Sequence, residues 1–260
     1  PNEPPDQRTF TESMLLYPSQ RARVLTEAWA EQHMYCVACD SSSLQQANNN
    51  RRAIDFSCES CGAHYQLKAK KGRLGRKVVD AGYHAMIEAI RGDTTPHFLF
   101  LSYLDNRVEN LILTPSFSVS ESAIERRKPL AAHARRAGWV GCSIRLDRIP
   151  PSLRIAIVES GTSIPAESAR HTFQLMGPLR ELSTPKRGWT LDMLRIVQQY
   201  TNEIEFSLAQ VYECEHELAT LYPDNHHVRA KMRQQLQTLR DLGFVEFLGR
   251  GRYRCLPKCD

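Results

Sequence analysis

The 260-residue chain has no run of apolar residues long enough to cross a bilayer. It has no internal repeat. Its start, PNEPPDQRTF, is polar and Pro-rich, without the basic and apolar segments of a secretory leader, and predicts a loose arm. Cysteine is sparse outside one region: Cys142, Cys214, Cys255 and Cys259 are scattered and suggest no disulfide framework. Together these absences predict a protein with no membrane association in a reducing cytoplasm. Acidic residues are scarce where basic ones gather. Lys68, Lys70, Lys71, Arg73, Arg76 and Lys77 form one cluster, and Arg126, Arg127, Lys128, Arg135 and Arg136 a second. Arg229, Lys231, Arg233, Arg240, Arg250, Arg252 and Arg254 form a third, with only Asp241 and Glu246 among them. One such run is usually a solvated face. Three within a net charge of only +5 favour a polyanion partner.

What is present begins with two cysteine knuckles, Cys36-x2-Cys39 and Cys58-x2-Cys61, with 18 residues between them. That spacing predicts a tetrahedral Zn²⁺ site. All four positions are cysteine, which leaves none for water, so the zinc is expected to be structural.

Hydrophobic patterning predicts a mixed α/β core. A helix is expected over 19–34, with Leu25, Ala28 and Trp29 on one face, then a polar loop over 40–52. Strands are expected at 53–57, 64–70, 98–104, 110–115 and 154–160, with a helix from about 78 to 91. Residues 161–188, rich in Pro, Ser and Gly, predict a boundary. Beyond it, helices are expected at 190–200, at 206–218 with Ser207 as N-cap, and at 227–243 ending on Gly243. FVEFL and RYRCL around Gly249-Arg250-Gly251 predict a hairpin. Three helices followed by a basic-tipped hairpin form the pattern of a winged helix, which serves as a DNA reader or a protein-binding module.

The second knuckle interrupts another motif. Asp55 precedes Cys58, and Gln66-Leu67-Lys68 follows Cys61. An acid, a hairpin and x-Leu-Lys outline a metal-dependent nuclease centre. There a carboxylate holds a hard cation such as Mg²⁺, and a lysine steadies the scissile phosphate or orients water. Gln66 and Lys68 share one strand face by the two-residue period. The plainer alternative is that Asp55 and Lys68 are ordinary polar residues of a sheet.

Two further groups suit nucleic acid. A helix carrying Arg229, Lys231, Arg233 and Gln234 fits the major groove, and wing residues Arg250 and Arg252 suit phosphate. Trp139, in ARRAGWVGC, follows Arg135 and Arg136 and sits between Gly138 and Gly141. It is either a core tryptophan or an aromatic that packs on a base while the arginines hold phosphates.

RARVLTEAW, the knuckles, the DFxC strand, QLKAKKG, RRKPLAAHARRAGWVGC, KRGWTLDML and RQQLQTLRDLGFVEFLGRGRYR carry a resemblance over nearly the whole chain. It resembles the DpnI-type methyl-directed restriction endonucleases. The resemblance implies a PD-(D/E)XK nuclease domain with an inserted zinc site, expected at 1–183, and a winged helix, expected at 184–260. It implies Mg²⁺-dependent cleavage of double-stranded DNA at GATC carrying N6-methyladenine, with Mn²⁺ as a substitute. Both domains would read the site, Trp139 lying near the methyl groups, and the protein would be a monomer in solution. Asp55, Gln66 and Lys68 would be the catalytic set. One departure stands out: the family has Glu before Leu-Lys, and here the residue is Gln66. A tolerated variant, an inactivated enzyme and a non-cleaving reader are all compatible with it, and a helix acid such as Glu27 is a candidate for the missing charge. A zinc and winged-helix transcription regulator is the alternative of another class.

Overall fold

The structure, a computed structural model, describes residues 18–47, 53–200 and 205–256. The expected N-terminal arm, the end of the Asn-rich loop and Cys259 lie outside the described residues. Among the described residues no helix is long and apolar enough to cross a membrane. Two compact units form, one from the described parts of 1–78, 95–116 and 154–174, the other from those of 79–94, 117–153 and 175–260. The chain passes between these two units several times.

The first unit holds helix α1 (Pro18–His33), which buries Leu25, Trp29 and Ala30. Its seven-stranded sheet runs in the order β1 (Gln45–Gln46), β2 (Phe56–Ser57), β3 (His64–Lys71), β5 (His97–Leu104), β6 (Arg107–Thr114), β9 (Ile155–Glu159) and β10 (Thr162–Ser163). β3 and β5 are parallel, with Tyr65 opposite His97 and Lys71 opposite Tyr103. Every other pair with a defined register in this sheet is antiparallel. Phe98, Leu99, Phe100 and Leu101 are all fully buried, which explains the continuous apolar run of a strand covered on both faces. Asp105 and Asn106, at φ 46° and 61°, turn β5 into β6 as a two-residue hairpin of the primed kind, so β6 starts at Arg107 rather than 110. Ser160 and Gly161, at φ 47° and 75°, do the same between β9 and β10. The stretch expected as a boundary contains α3 (Ala166–Leu175), which buries Ala169 and Phe173.

The second unit has two three-stranded sheets. One runs β4 (Lys77–Gly82), β8 (Gly141–Arg145), β7 (Ile124–Arg126), accompanied by α2 (Tyr83–Arg91). The helix expected from 78 therefore begins at 83. Val78 and Val79 are β-branched and suit a strand, and Gly82 is extended at φ −65° and ψ 135° as the helix N-cap. The other sheet runs β11 (Glu205–Ser207), β13 (Arg252–Cys255), β12 (Val245–Gly249).

Four helices accompany that second sheet: α4 (Thr184–Tyr200), α5 (Leu208–Tyr212), α6 (Glu215–Leu221) and α7 (Val228–Asp241). Ser207 caps α5 in a reciprocal box: Gln210 N donates to Ser207 Oγ at 3.2 Å, and Ser207 N donates to Gln210 Oε1 at 2.7 Å. The single helix expected over 206–218 breaks at Glu213 and Cys214, whose N–H groups reach back three residues, to Gln210 and Val211, and tighten the turn. Gly243 ends α7 in the left-handed region at φ 72°. α4 is buried on nearly every side, through Leu191, Met193, Leu194, Ile196 and Val197. Each such side chain contributes about 1.5–3 kcal/mol on leaving water. Two charged residues share that burial. Asp192, fully buried, accepts from Ser122 Oγ at 2.8 Å and from Tyr222 OH at 2.6 Å. Arg195 pairs with Glu217 at 2.6 Å.

Candidate functional site

The four knuckle cysteines converge, with their sulfur atoms all within 4.8 Å of one another. Among the described residues this is the one group of three or more His, Cys, Asp or Glu side chains so placed. Cys36 Sγ lies 3.5 Å from Cys61 Sγ, and Cys39 Sγ lies 3.6 Å from Cys58 Sγ. Backbone turns shape each knuckle: Cys36 N donates to Ser41 O at 3.1 Å, and Gly62 N to Cys58 O at 2.8 Å. Burial works against the Cys58 thiolate, but N–H groups of Cys61 and Ser60 and a bond from Cys39 outweigh it and bring the thiol down to about 6. Burial, then the Cys36, Cys39 and Cys58 sulfurs, push Cys61 up to about 12. Four crowded sulfurs that resist joint ionisation are what a soft divalent cation relieves, so the cluster could bind zinc.

Two residues outside the motif hold the knuckles. Tyr65 OH lies 3.2 Å from Cys36 Sγ and also takes the Val37 N–H at 3.2 Å. Arg170, on α3, donates to Cys36 O at 2.9 Å and Ser41 O at 2.8 Å, and its guanidinium lies over the Tyr35 ring. Tyr65 is legible in the sequence as an inward-facing residue of an alternating strand. Arg170 gives no such signal, being 134 residues from Cys36.

The same hairpin brings Asp55 against the QLK strand. β2 and β3 pair through Phe56–Tyr65 and Ser57–His64. Beyond that pair the short β2 ends, and Asp55 takes over its role. Its backbone N–H donates to Tyr65 O at 2.9 Å, and its Oδ2 accepts the Leu67 N–H at 2.8 Å. The carboxylate therefore grips β3 at the residue between Gln66 and Lys68. Gln66 is 7% exposed, and its Oε1 is buried with no hydrogen-bond partner. A buried carbonyl oxygen without a donor is costly unless a cation or water completes it.

Helix α1 adds two charges here. Arg23 Nε donates to Glu27 Oε1 at 2.6 Å, and Gln46 Nε2 reaches Glu27 Oε2 at 3.5 Å. The Arg23 guanidinium is held above its ordinary pKa by the Glu27 hydrogen bond, then by the Glu27 charge, with Asp55 adding to the same pull. Glu27, the helix acid that the sequence offers as a candidate, is already paired with Arg23 and Gln46. Nothing in the sequence singles out Arg23.

In the second unit, Trp139 is half-buried and Arg135 and Arg136 are exposed. Arg136 lies over the indole at 4.7 Å. Gly82 and Gly141 form the surface under the ring. A Cβ at 141 would fall 2.9 Å from Cζ3 and Cη2 of Trp139, so only glycine fits there. The loop closes at its neck, where Arg127 N donates to Gly141 O at 2.9 Å and Leu130 N to Trp139 O at 3.0 Å. The indole is neither a full core residue nor a free one.

α7 exposes Arg229, Arg233 and Gln234 and buries Met232, Leu236 and Leu239 behind them. Arg229 pairs with Glu215 at 2.7 Å, and Arg233 donates to Tyr212 OH at 2.9 Å. Lys231 donates to Gln234 Oε1 at 2.9 Å. Arg252 pairs with Glu205 at 2.9 Å. Arg250 stands at the hairpin tip with φ 49°, between Gly249 at 94° and Gly251 at 73°, and is exposed. The expected basic surface is present, with much of its charge tethered by local acids and a tyrosine.

Two comparisons complete the picture. Residues 12–182 match the model of the DpnI, Dam-replacing family. Residues 185–255 match the model of the Dam-replacing HTH domain.

Proposed function

Since the chain belongs to the DpnI, Dam-replacing family, whose members imply methylation-dependent DNA cleavage, we propose that it hydrolyses double-stranded DNA at GATC sites carrying N6-methyladenine. We assign catalysis to a PD-(D/E)XK domain over 1–183, braced by structural zinc on Cys36, Cys39, Cys58 and Cys61. We assign further site reading to a winged helix over 184–260. The observation that carries this proposal is the Asp55 grip on β3 between Gln66 and Lys68.

Asp55 and Gln66 would hold Mg²⁺. Their donors are a carboxylate and a buried, unpartnered carbonyl oxygen, both hard oxygen ligands suited to that ion. When bound, the metal supplies Lewis-acid stabilisation of charge at the scissile phosphate. Lys68, on the same strand face as Gln66, orients the attacking water and steadies the phosphate. Asp55 keeps β3 in register while it serves as ligand. Trp139, floored by Gly82 and Gly141, offers an apolar surface to the adenine methyl groups, and Arg135 and Arg136 hold the adjacent phosphates. Arg229, Lys231, Arg233 and Gln234 face the groove, and Arg250 and Arg252 the backbone.

The neutrality of Gln66 favours one second reading, a protein that binds methylated GATC without cutting it. Incubating the protein with methylated and unmethylated GATC duplexes, with Mg²⁺ or Mn²⁺, separates the two. Cutting confined to the methylated duplex supports the nuclease. Methyl-selective binding with no cutting in either metal supports the reader. Absence of any methyl preference defeats both and leaves a zinc and winged-helix regulator.

A further inference from the structure

The Asp55 cluster carries its own cation. Arg23 is pinned to Glu27 by a 2.6 Å hydrogen bond, and Glu27 is only 16% exposed. Glu27 also meets Gln46 Nε2 at 3.5 Å, and Gln46 pairs with Phe56, the neighbour of Asp55 in the chain. With Lys68 on β3, the two acids Asp55 and Glu27 are matched by two cations before any metal arrives. Gln66 contributes no charge, while its Oε1 remains buried and unpartnered. A hard divalent cation prefers an anionic cage, so a cluster already neutralised from within should hold it weakly.

We propose that Arg23 is a positioning residue that gates metal loading: it occupies the charge role of the metal in the free protein and is drawn off by the DNA phosphate backbone. This rests on the nuclease reading above. The side chain suits the part. It is 68% exposed and long, so it can leave Glu27 without disturbing a core. A phosphate offers it the same bidentate acceptor geometry as a carboxylate. Once Arg23 turns to phosphate, Glu27 is released as an anion and the pull of Asp55 is no longer offset by Arg23. Metal affinity and DNA binding then become linked: each strengthens the other by the same factor. An exposed arginine–glutamate pair at i and i+4 is ordinarily a weak surface contact and does nothing else. What separates Arg23 from that bland case is the tie of its partner Glu27 to Gln46, opposite Phe56 and next to Asp55, and the orphaned Gln66 oxygen.

The test is Mn²⁺ binding, followed by the electron paramagnetic resonance of the free ion, on the full chain with zinc in place. Arg23→Met, which keeps the apolar stem, should tighten Mn²⁺ about tenfold or more without DNA, the effect of removing one like charge from a ligand set. Arg23→Lys should stay close to the parent. A methylated GATC duplex with phosphorothioates at the scissile linkages should tighten Mn²⁺ on the parent and do so much less on Arg23→Met. Arg23→Gln serves as a second neutral variant, and far-UV circular dichroism confirms that each is folded. If the neutral variants bind Mn²⁺ no better than the parent while the parent binds it normally, the gate is wrong and the nuclease centre stands. If no form binds Mn²⁺ even with the duplex, the nuclease reading falls and the gate falls with it.

Discussion

Asp55 accepts the backbone N–H of Leu67 at 2.8 Å, so one carboxylate continues β2 and, in the proposed nuclease, would also serve as a metal ligand. These roles are separable. Asp55→Asn retains an oxygen for the Leu67 N–H but loses the charge. Asp55→Ala loses both. Asn should leave stability near the parent and abolish cutting, while Ala should abolish cutting and cost about 1–2 kcal/mol through the stranded N–H. Urea unfolding beside a cleavage assay measures the split. Methyl-selective binding should survive in both variants.

Gln66→Glu restores an acid at a position 7% exposed. The new carboxylate should lower the Mg²⁺ or Mn²⁺ concentration needed for half-maximal cutting. It should also weaken the metal-free protein, because burial raises the folded pKa of a carboxyl above its unfolded value. Its stability is then full at low pH and is lost as pH rises through the raised value. Mn²⁺ should restore it. A Glu variant that needs as much metal as the parent would mean that the charge comes from elsewhere, with Glu27 the first candidate.

The four-cysteine cluster should yield about one zinc per chain by elemental analysis. A strong chelator should unfold the first unit, since structural zinc in small modules contributes roughly 10–16 kcal/mol of apparent binding free energy. Cys58→Ser should act like the chelator. Zinc that is stripped without loss of fold would overturn its structural role.

Methyl discrimination should be a product of two modest readings. Burying one methyl contributes about 0.8 kcal/mol, close to fourfold, and the two methyls of a palindrome give roughly fifteenfold. Trp139→Ala should reduce methyl preference in cleavage towards the level set by the C-terminal residues alone. Gly141→Ala should do much the same at a distance, because its Cβ would strike the indole at 2.9 Å. The fragment 184–260 should still prefer methylated GATC modestly, with an affinity that falls steeply with salt. It should also be less stable than the same residues in the full chain, since it leaves behind Ser122, the partner of Asp192, and Asp93, the partner of Arg187.

Asp192 gives a pH signature. Burial raises its pKa, against hydrogen bonds from Tyr222 and Ser122 that favour the carboxylate. A raised folded value means stability that is full below the unfolded pKa and is lost as pH rises through the folded one. Stability of the parent relative to Asp192→Asn should therefore fall from acid pH towards neutral, as measured by denaturant melts at several pH values. Asp192→Ala should be worse than Asn at every pH, because it strands the Ser122 and Tyr222 hydroxyls.

Much of this is legible in the sequence because it is local. Cysteine spacing locates the cluster, alternation places Tyr65 and Leu67 on β3, and Gly243 and Ser207 mark helix ends through their own backbone chemistry. The differences share a cause as well. Val78 and Val79 suit a strand, but β4 forms by joining β8, some 60 residues on, and no local period reveals such a partner. The same holds for β11 against β13. The DN pair at 105–106 is the exception, a local turn signal that places the start of β6 earlier than its apolar run does. At the candidate centre, spacing alone finds Asp55 and Gln66. It does not find Arg23 and Arg170, because each acts on residues that only the fold brings near.

The loop that carries Trp139 is tied at its neck, where Leu130 N donates to Trp139 O and Gly138 N to Leu130 O, each at 3.0 Å. A loop closed in this way uncouples its tip from its anchor. Lengthening such a tip costs only about 0.6 kcal/mol per doubling, and the added chain does not pull on the indole. Residues Ala132 and His133, both exposed, thus form a port for a fluorophore or a short peptide beside the arginines. A reporter attached there would sense an approaching duplex through the field of Arg135 and Arg136 while the tryptophan keeps its seat on Gly82 and Gly141.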